Sequence, residues 1–209
     1  MRLRLLVLLL PILLLVGYAA RSEETQEEIF DAMRERLQPT SVLRAAFRQE
    51  RSLQILQRPL VSSGTMILVE GEGILWRVED PHRITYLIRA GEALEWEGEG
   101  GPRRVGMAAA PAFRVMTEMF LGTLTGDLDT LQRGFVAQTL PTQEGWRVSL
   151  TPRSGDLAEI VSSLEVAGDR YVREVHLREV RGDAVSFTFS GFHAEPSSLD
   201  AAEKHYFAQ

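Results

Sequence analysis

Alternating apolar and polar side chains between residues 62 and 88 predict three short β-strands joined by tight turns. Gly71 and the pair Asp80-Pro81 supply the turn chemistry, because glycine adopts positive φ and Asp-Pro starts a turn that a central strand could not continue through. In the second and third strands every other side chain is large and apolar, so this meander has one aromatic face. The predicted strands are Gly64–Val69, Gly73–Val78 and Arg83–Ile88.

In two segments the apolar residues have the spacing of a helix instead of the alternation of a strand. Thr25 and Glu28 have the spacing of a capping box and an apolar stripe follows, which predicts a helix that ends near Gln38. A second helix is predicted from Pro111 to Gly122, because this segment begins with proline and ends with glycine. Its apolar stripe has two interpretations: ordinary core packing, or a lid whose methionines adapt to a ligand. The side chains of that stripe are Phe113, Met116, Met119 and Phe120.

The rest of the chain predicts a mainly β fold with helices, in the α+β class. Leu43, Ala45 and Phe47 alternate with their neighbours and predict a strand directly after the first helix, whereas residues 52–61 are an ambiguous hairpin arm. Short helical pieces are predicted at Asp127–Gln132 and Leu199–Lys204, and further strands at Ala93–Glu97, Arg103–Val105, Phe135–Leu140, Trp146–Thr151, Ser163–Ala167, Tyr171–Val180 and Ala184–Phe192.

The first nineteen residues have the pattern of a secretory signal peptide. Arg2 and Arg4 make the N-terminal region positively charged, and residues 5–16 are apolar. Small residues then precede the predicted signal-peptide cleavage site after Ala19. The apolar run is short for a membrane span, and an uncleaved N-terminal anchor is the alternative. The sequence therefore predicts a signal peptide at 1–19, a single domain at 20–209 and a periplasmic location.

Charge and composition narrow the range of partners. The chain has 209 residues and a formal net charge of −6, and removal of residues 1–19 with their two arginines makes this charge −8. Nucleic acid and an anionic membrane surface would both repel so acidic a protein. The sequence contains no cysteine, so the fold needs no disulfide and the N-terminus of the chain is not that of a lipidated lipoprotein. The predicted mature domain is long enough to bury its own core.

Candidate catalytic residues are scarce. None of the histidines belongs to an HExxH motif, and CxxC and GxSxG motifs are also absent. We interpret each histidine as a solvated surface residue, and we predict neither a metal site nor a cofactor. The chain is therefore not expected to be an enzyme, and an exported hydrolase is the weaker alternative. The histidines are His82, His176, His193 and His205.

Five stretches follow one another in a characteristic order: Phe47-Arg-Gln49, Ser62–Met66, Gly73–Trp76, Ser149–Arg153 and Leu199–Phe207. Their order resembles the LolA family of periplasmic lipoprotein carriers. No single motif is diagnostic, but the ordered set covers essentially the whole mature chain. The resemblance implies a half-open antiparallel β-barrel with a helical lid over an apolar cavity that holds acyl chains.

The resemblance also implies a ligand and partners. The cargo would be a lipoprotein or another lipid, the partners would be an inner-membrane exporter and an outer-membrane acceptor, and the carrier would act as a monomer. A lipid- or lipoprotein-sensing regulatory domain of the same fold is the alternative. The candidate cavity residues are Phe47, Met66, Ile74, Trp76, Ile84, Tyr86 and Trp96, and the candidate lid residues are Phe113, Met116, Met119 and Phe120.

One position departs from the family pattern. The resemblance implies an arginine, followed by proline, that hydrogen-bonds the lid backbone, and this chain has Glu70-Gly71 at the corresponding place. Arginine donates several hydrogen bonds whereas a carboxylate only accepts them, so Glu70 inverts the chemistry of this latch position. A lid held mainly by apolar contact is expected, and a divergent relative that serves another lipid is a further interpretation.

Overall fold

The computed structural model describes residues 24–38, 40–89, 92–98, 100–105, 121–122, 125–155, 157–194 and 198–209. We number the helices and strands within these ranges in chain order. The helices are α1 (Gln26–Arg36), α2 (Leu128–Gly134) and α3 (Ala201–Phe207), and the strands are β1 (Val42–Ser52), β2 (Leu60–Val69), β3 (Gly73–Asp80), β4 (Ile84–Arg89), β5 (Glu92–Glu97), β6 (Arg103–Val105), β7 (Phe135–Thr139), β8 (Trp146–Pro152), β9 (Val161–Gly168), β10 (Val172–Glu179) and β11 (Ala184–His193).

All of these strands belong to one open antiparallel sheet with the order β6-β5-β4-β3-β2-β1-β11-β10-β9-β8-β7. Each pair of neighbours in the sheet is consecutive in sequence except at the centre, where β1 pairs with β11 and Phe47 lies opposite Phe189; β6 and β7 form the two edges. The two halves of the chain therefore form two wings that meet along β1 and β11. This arrangement confirms the predicted antiparallel, half-open and mainly β fold.

The sheet has one large and one small apolar face. We call the larger one the inner face; its buried cluster includes Phe30 of α1, Met66 and Trp76. The outer face has a smaller cluster that includes Ile67 of β2 and Phe207 of α3. Because successive strand residues point to opposite faces, Met66 and Ile67 belong to different clusters although they are neighbours in sequence.

Helix α1 packs on the inner face and is fixed at its N-terminal end. The Thr25 hydroxyl accepts a hydrogen bond from the Glu28 backbone N–H, and the Glu28 carboxylate accepts one from the Thr25 N–H, which confirms the predicted capping box. Gln26 exchanges two hydrogen bonds with the Ala137 backbone of β7, at 2.7 and 2.6 Å. The helix ends at its C-cap Leu37. Its buried residues are Ile29, Phe30 and Met33.

Helix α3 lies on the outer face and is held there by two arginines of the sheet. Arg44 donates two hydrogen bonds to the Glu203 carboxylate, at 3.1 Å from Nε and 2.7 Å from Nη2. Arg89 donates to the backbone carbonyls of Phe207 and Gln209. The closing segment of the chain is therefore part of the packed domain.

Most predicted elements are confirmed, with shifts at their ends. The ambiguous segment 52–61 contains the end of β1 at Ser52 and the start of β2 at Leu60. The last helix is Ala201–Phe207 rather than Leu199–Lys204. The predicted helix Pro111–Gly122, except residues 121–122, and the predicted signal peptide at 1–19 lie outside the described residues. These two stay predictions.

Candidate functional site

A cavity of about 300 Å³ lies on the inner face, where the end of α1 meets β1, β2, β11 and the β9–β10 turn. Its walls are aliphatic and aromatic for the most part, and arginine, glutamine and threonine side chains complete them. The cavity is thus an apolar space with a polar edge. The large apolar residues that line it include Leu37, Leu43, Met66, Leu68, Tyr171 and Phe192.

The end of α1 forms one wall of the cavity. The backbone N–H of Gln38 donates to the Arg170 carbonyl at 2.9 Å, which joins this wall to the β9–β10 turn. The Asp169 carboxylate fixes that turn by accepting from the Arg173 guanidinium at 2.8 Å and from the Tyr171 N–H at 3.1 Å. These contacts, the Arg173 hydrogen bond above all, lower the pKa of Asp169 to about 2. The turn therefore keeps its anchor over the ordinary pH range.

A β-bulge places Phe192 at the cavity. The β1–β11 register shifts between Arg44 and Ala46, and Gly191 adopts a φ of 60° at this point. Phe192 consequently packs against the inner-face cluster, and its ring stacks on that of Tyr171 at a centroid distance of 4.9 Å. Strand alternation continued from Phe189 would have assigned Phe192 to the other face.

The polar edge of the cavity is basic. Arg34 forms ion pairs with Asp31 and with Asp129 of α2, at 2.8 Å in the second case. Arg170 is exposed and forms no ion pair with any side chain that the structure describes. None of the described residues that line the cavity is acidic. An apolar chain could therefore enter without burying a carboxylate, and an anionic or polar head could remain near the arginines.

An aromatic cluster fills the inner face beside the cavity. Trp76 stacks on Phe47 with ring centroids 3.8 Å apart, and it meets Phe187 and Phe189 edge-on at 5.8 and 6.1 Å. Met66, which lines the cavity, pairs directly with Trp76 across β2 and β3. Phe187 and Phe189 are absent from the predicted set, because nothing in the sequence alone places β11 next to β1.

The structure brings most of the described candidate residues to the inner face, but only one of them to the cavity lining. Met66 lines the cavity; Phe47, Ile74 and Trp76 are buried in the cluster next to it. Tyr86 is half-buried, and its pKa is raised by burial and by the neighbouring Glu95. Their roles in ligand binding stay predictions. Ile84 is half-buried, and Phe113, Met116, Met119 and Phe120 lie outside the described residues.

Trp96 is the exception, and its predicted placement on the inner face is wrong. On β4 and β5, Trp96 pairs with Thr85, whereas Tyr86 pairs with Glu95. Trp96 therefore points to the outer face, where its ring meets that of Tyr206 edge-on at 5.1 Å. Alternation shows which residues of β5 share a face. It does not show whether that face is the inner or the outer face of the sheet, because this depends on how β5 pairs with β4.

Glu70, the predicted latch residue, lies exposed at the β2–β3 turn. Its backbone N–H donates to the Ser41 carbonyl at 3.0 Å. The residue borders an open groove between this turn and α3, together with Val42, Val69 and Phe207. These three apolar neighbours belong to the outer-face cluster. A contact between Glu70 and the predicted lid stays a prediction.

The cavity residues that the sequence analysis missed are chiefly Leu68, Tyr171 and Phe192. Leu68 carried a usable signal, because it is two residues from Met66 and therefore shares its face. Leu43 carried the same signal relative to Phe47 on β1. Tyr171 and Phe192 reach the cavity through a turn and a bulge, for which the alternating pattern has no signature.

One serine–histidine–glutamate contact occurs among the described residues, on the outer face. His176 Nδ1 lies 2.9 Å from Ser186 Oγ, and its Nε2 lies 3.6 Å from the Glu174 carboxylate. His176 and Ser186 are opposite each other on β10 and β11, and Arg147 already binds Glu174 at 2.8 Å and lowers its pKa. We interpret the contact as a cross-strand surface network, away from the cavity.

The described ranges contain neither a metal-binding cluster nor a membrane-spanning helix. No group of three or more histidine, aspartate or glutamate side chains there could hold a metal ion. None of the helices in those ranges is long and apolar enough to cross a membrane.

One family model matches most of the chain. The model of the family described as "Outer membrane lipoprotein carrier protein LolA-like" matches residues 25–206. A search of the curated proteins finds no match.

Solved structures with a similar fold have low sequence identity. A LolA superfamily protein from Nitrosomonas europaea is 8% identical, with a TM-score of 0.44 over 86% of this chain and 96% of that one. A domain assigned to outer membrane lipoprotein-sorting proteins from Vibrio parahaemolyticus is 11% identical, with a TM-score of 0.49 over 88% and 100%. The MucA/MucB complex of Pseudomonas aeruginosa contains a chain that is 14% identical, with a TM-score of 0.46 over 83% and 61%.

Proposed function

The chain belongs to the outer membrane lipoprotein carrier protein LolA-like family, and we propose that it is a periplasmic carrier of a lipoprotein or another lipid. In this proposal the inner-face cavity binds acyl chains of the cargo, and the protein moves them toward the outer membrane without a catalytic step. The signal peptide at 1–19 directs export of the chain. An inner-membrane exporter supplies the cargo to the monomeric carrier, and an outer-membrane acceptor receives it.

The observation that carries this proposal is the apolar cavity between α1 and the sheet. Its described lining combines large aliphatic and aromatic side chains with two arginines and no acidic residue. Each methylene group moved from water into such a space contributes about 0.8 kcal/mol, so a short length of acyl chain gives useful affinity. Shape and burial therefore determine binding, with little dependence on the head group.

The size of the cavity limits how much of the cargo this conformation can hold. Its volume of about 300 Å³ is at the lower end of the usual range for ligand pockets. The cargo would occupy it with part of one chain, and entry of more would require a wall to move. We propose the end of α1 as that wall. Its movement would open the Gln38 hydrogen bond to the Arg170 carbonyl, the Arg34–Asp129 ion pair and the Arg36 hydrogen bond to the Gly145 carbonyl.

Titration with a fluorescent fatty acid tests this function. Leu37 is half-buried at the cavity wall, so Leu37→Asp places a charge in the space while leaving most of the core intact. We expect the Kd for the probe to rise about tenfold or more. Leu157→Asp is the matched control, because Leu157 is also half-buried against the same core but does not line the cavity. The proposal would be contradicted if the probe did not bind the wild type, or if both variants lost affinity for the probe equally.

A further inference from the structure

Two neighbouring hairpin turns carry most of the highly exposed large apolar side chains of the described chain. These are the β1–β2 turn with the first residue of β2 (residues 53–60) and the β10–β11 turn (residues 180–183), which we call the hairpin tips. Ile55 is 88% exposed, Leu60 54%, Val180 53% and Leu56 43%. Val136 on the edge strand β7, 43% exposed, is the other such residue in the described ranges.

The hairpin tips are in direct contact. The Gln54 backbone N–H donates to the Asp183 carboxylate at 3.0 Å. The Gln54 side chain also lies so close to Gly182 that a Cβ at Gly182 would be 1.8 Å from its Nε2. Strand β1 pairs with β2 as far as Arg51 and Leu60, and with β11 as far as Ser52. The exposed side chains therefore lie together at one end of the central strands.

The charge of the hairpin tips differs from that of the whole chain. Arg58 and Arg181 are exposed in the tips and Arg51 is exposed on β1 next to them, and none of these arginines forms an ion pair with a described side chain. Residues 51–60 and 180–183 together contain three arginines and one aspartate, a formal charge of +3 − 1 = +2, whereas the chain as a whole has a net charge of −6. The carboxylate of Asp183 is already hydrogen-bonded to Gln54. Aliphatic side chains with unpaired arginines beside them thus form a local basic and apolar surface.

We propose that the hairpin tips bind the surface of an anionic lipid bilayer. Ile55, Leu56 and Leu60 would enter the boundary between head groups and acyl chains, and the arginines would contact lipid phosphates. Interfacial binding of this kind depends on buried apolar area together with attraction to anionic lipids. Arginine suits the second role because its planar guanidinium donates two parallel hydrogen bonds to a phosphate.

A protein partner fits these tips less well. Stable protein interfaces bury about 800 Å² on each partner and are centred on tyrosine, tryptophan and arginine. The hairpin tips are two narrow turns, and their apolar side chains are aliphatic and not aromatic. The repulsion expected from the net charge of the whole chain also acts weakly here, because charges more than about 10 Å away are largely screened at ordinary ionic strength.

Vesicle flotation tests the proposal on the purified protein. We would measure the bound fraction with vesicles of phosphatidylglycerol and with vesicles of phosphatidylcholine. The double variant Ile55→Asp/Leu56→Asp should bind phosphatidylglycerol about tenfold less than the wild type. Arg51→Gln/Arg58→Gln should lose the preference for phosphatidylglycerol over phosphatidylcholine. Val136→Asp, an exposed apolar residue away from the tips, is the matched control and should bind as the wild type does.

The controls separate this proposal from that of the cavity. All variants share the same N-terminus, so any binding by residues 1–19 is common to them. The fatty-acid probe should bind the tip variants as it binds the wild type, which also shows that they are folded. If the wild type fails to float with phosphatidylglycerol, or if the tip variants float as well as it does, the tips do not bind membranes. A protein without probe binding but with tip-dependent flotation would refute only the carrier function.

Discussion

Gly64 shows how a single residue determines the spacing of two strands. The β2–β3 register shifts between Ser63 and Gly64, and at this point the backbones approach closely. A Cβ at Gly64 would lie 1.9 Å from the Arg77 carbonyl oxygen and 2.9 Å from its carbon. Both contacts are with backbone, which cannot rotate away as a side chain could. The SSGTM stretch therefore has a physical reason for its glycine.

Replacement of Gly64 by alanine should consequently push β2 and β3 apart. We expect Gly64→Ala to lower the free energy of unfolding by about 2 kcal/mol or more, since overpacking with a backbone shift costs this much. Urea denaturation measures the change. Gly101→Ala is the control, because nothing lies within 4 Å of a Cβ at that position. Equal stability of the two variants would show that the close approach is not a constraint.

The residues also show what alternation in the sequence can predict. Within one strand it correctly grouped Ile74 with Trp76, because side chains two apart share a face. It failed for Trp96, because the length of the turn between β4 and β5 decides which side chains of β5 point to the inner face. Alternation also cannot locate Phe192, for which no face was predicted, because a bulge adds a residue and reverses the alternation. A bulge depends on the neighbouring strand, which the sequence does not reveal.

At the scale of elements, helix α3 depends on one buried ion pair. Glu203 is 6% exposed and combines an intrahelical role, in the capping box with Asp200, with its two hydrogen bonds from Arg44. Removal of its charge takes away the carboxylate that accepts both of these hydrogen bonds. The groove that borders Glu70 also has α3 as one wall, so the position of this helix shapes the outer face.

The pH dependence of stability should reflect this pair. Hydrogen bonds from Arg44, followed by that of the Asp200 backbone, lower the pKa of Glu203 from its ordinary value of 4.5. A carboxyl group with a lowered folded-state pKa contributes stability above the unfolded-state value, and this contribution is lost as the pH falls through the folded-state value. We expect Glu203→Gln to lower the free energy of unfolding by about 1–3 kcal/mol at pH 7 and to have no such effect in acid, where Glu203 of the wild type is itself protonated. Urea denaturation at both pH values measures this.

The exposed Glu35 supplies the control for that measurement. Glu35→Gln lies on the solvent side of α1 and should leave the free energy of unfolding nearly unchanged at both pH values. A loss in Glu203→Gln that stayed constant into acid would mean that packing, rather than the charge, holds α3. The sequence predicted a short helical piece here but not the ion pair that anchors it, because Arg44 and Glu203 are far apart along the chain.

At the scale of the molecule, the sequence predicted the two wings better than their junction. Hairpins and meanders are local, and turn residues such as Gly71 mark them in the sequence. The pairing of β1 with β11 joins the two wings, and it also creates the cluster of Trp76 with Phe187 and Phe189. No local pattern specifies such a long-range pair, so only the family resemblance predicted the fold as a whole. Net charge likewise does not reveal the local excess of arginine near the hairpin tips.

Native mass spectrometry of the protein purified from a bacterial envelope fraction tests the central claim most directly. We predict that the wild type carries an added mass that corresponds to a lipid or an acylated cargo, because the apolar cavity retains its ligand during purification. Leu37→Asp should lose this added mass, and Leu157→Asp should keep it. A wild-type protein that shows only its own mass, even after incubation with a fatty acid, would contradict the claim that the cavity binds acyl chains.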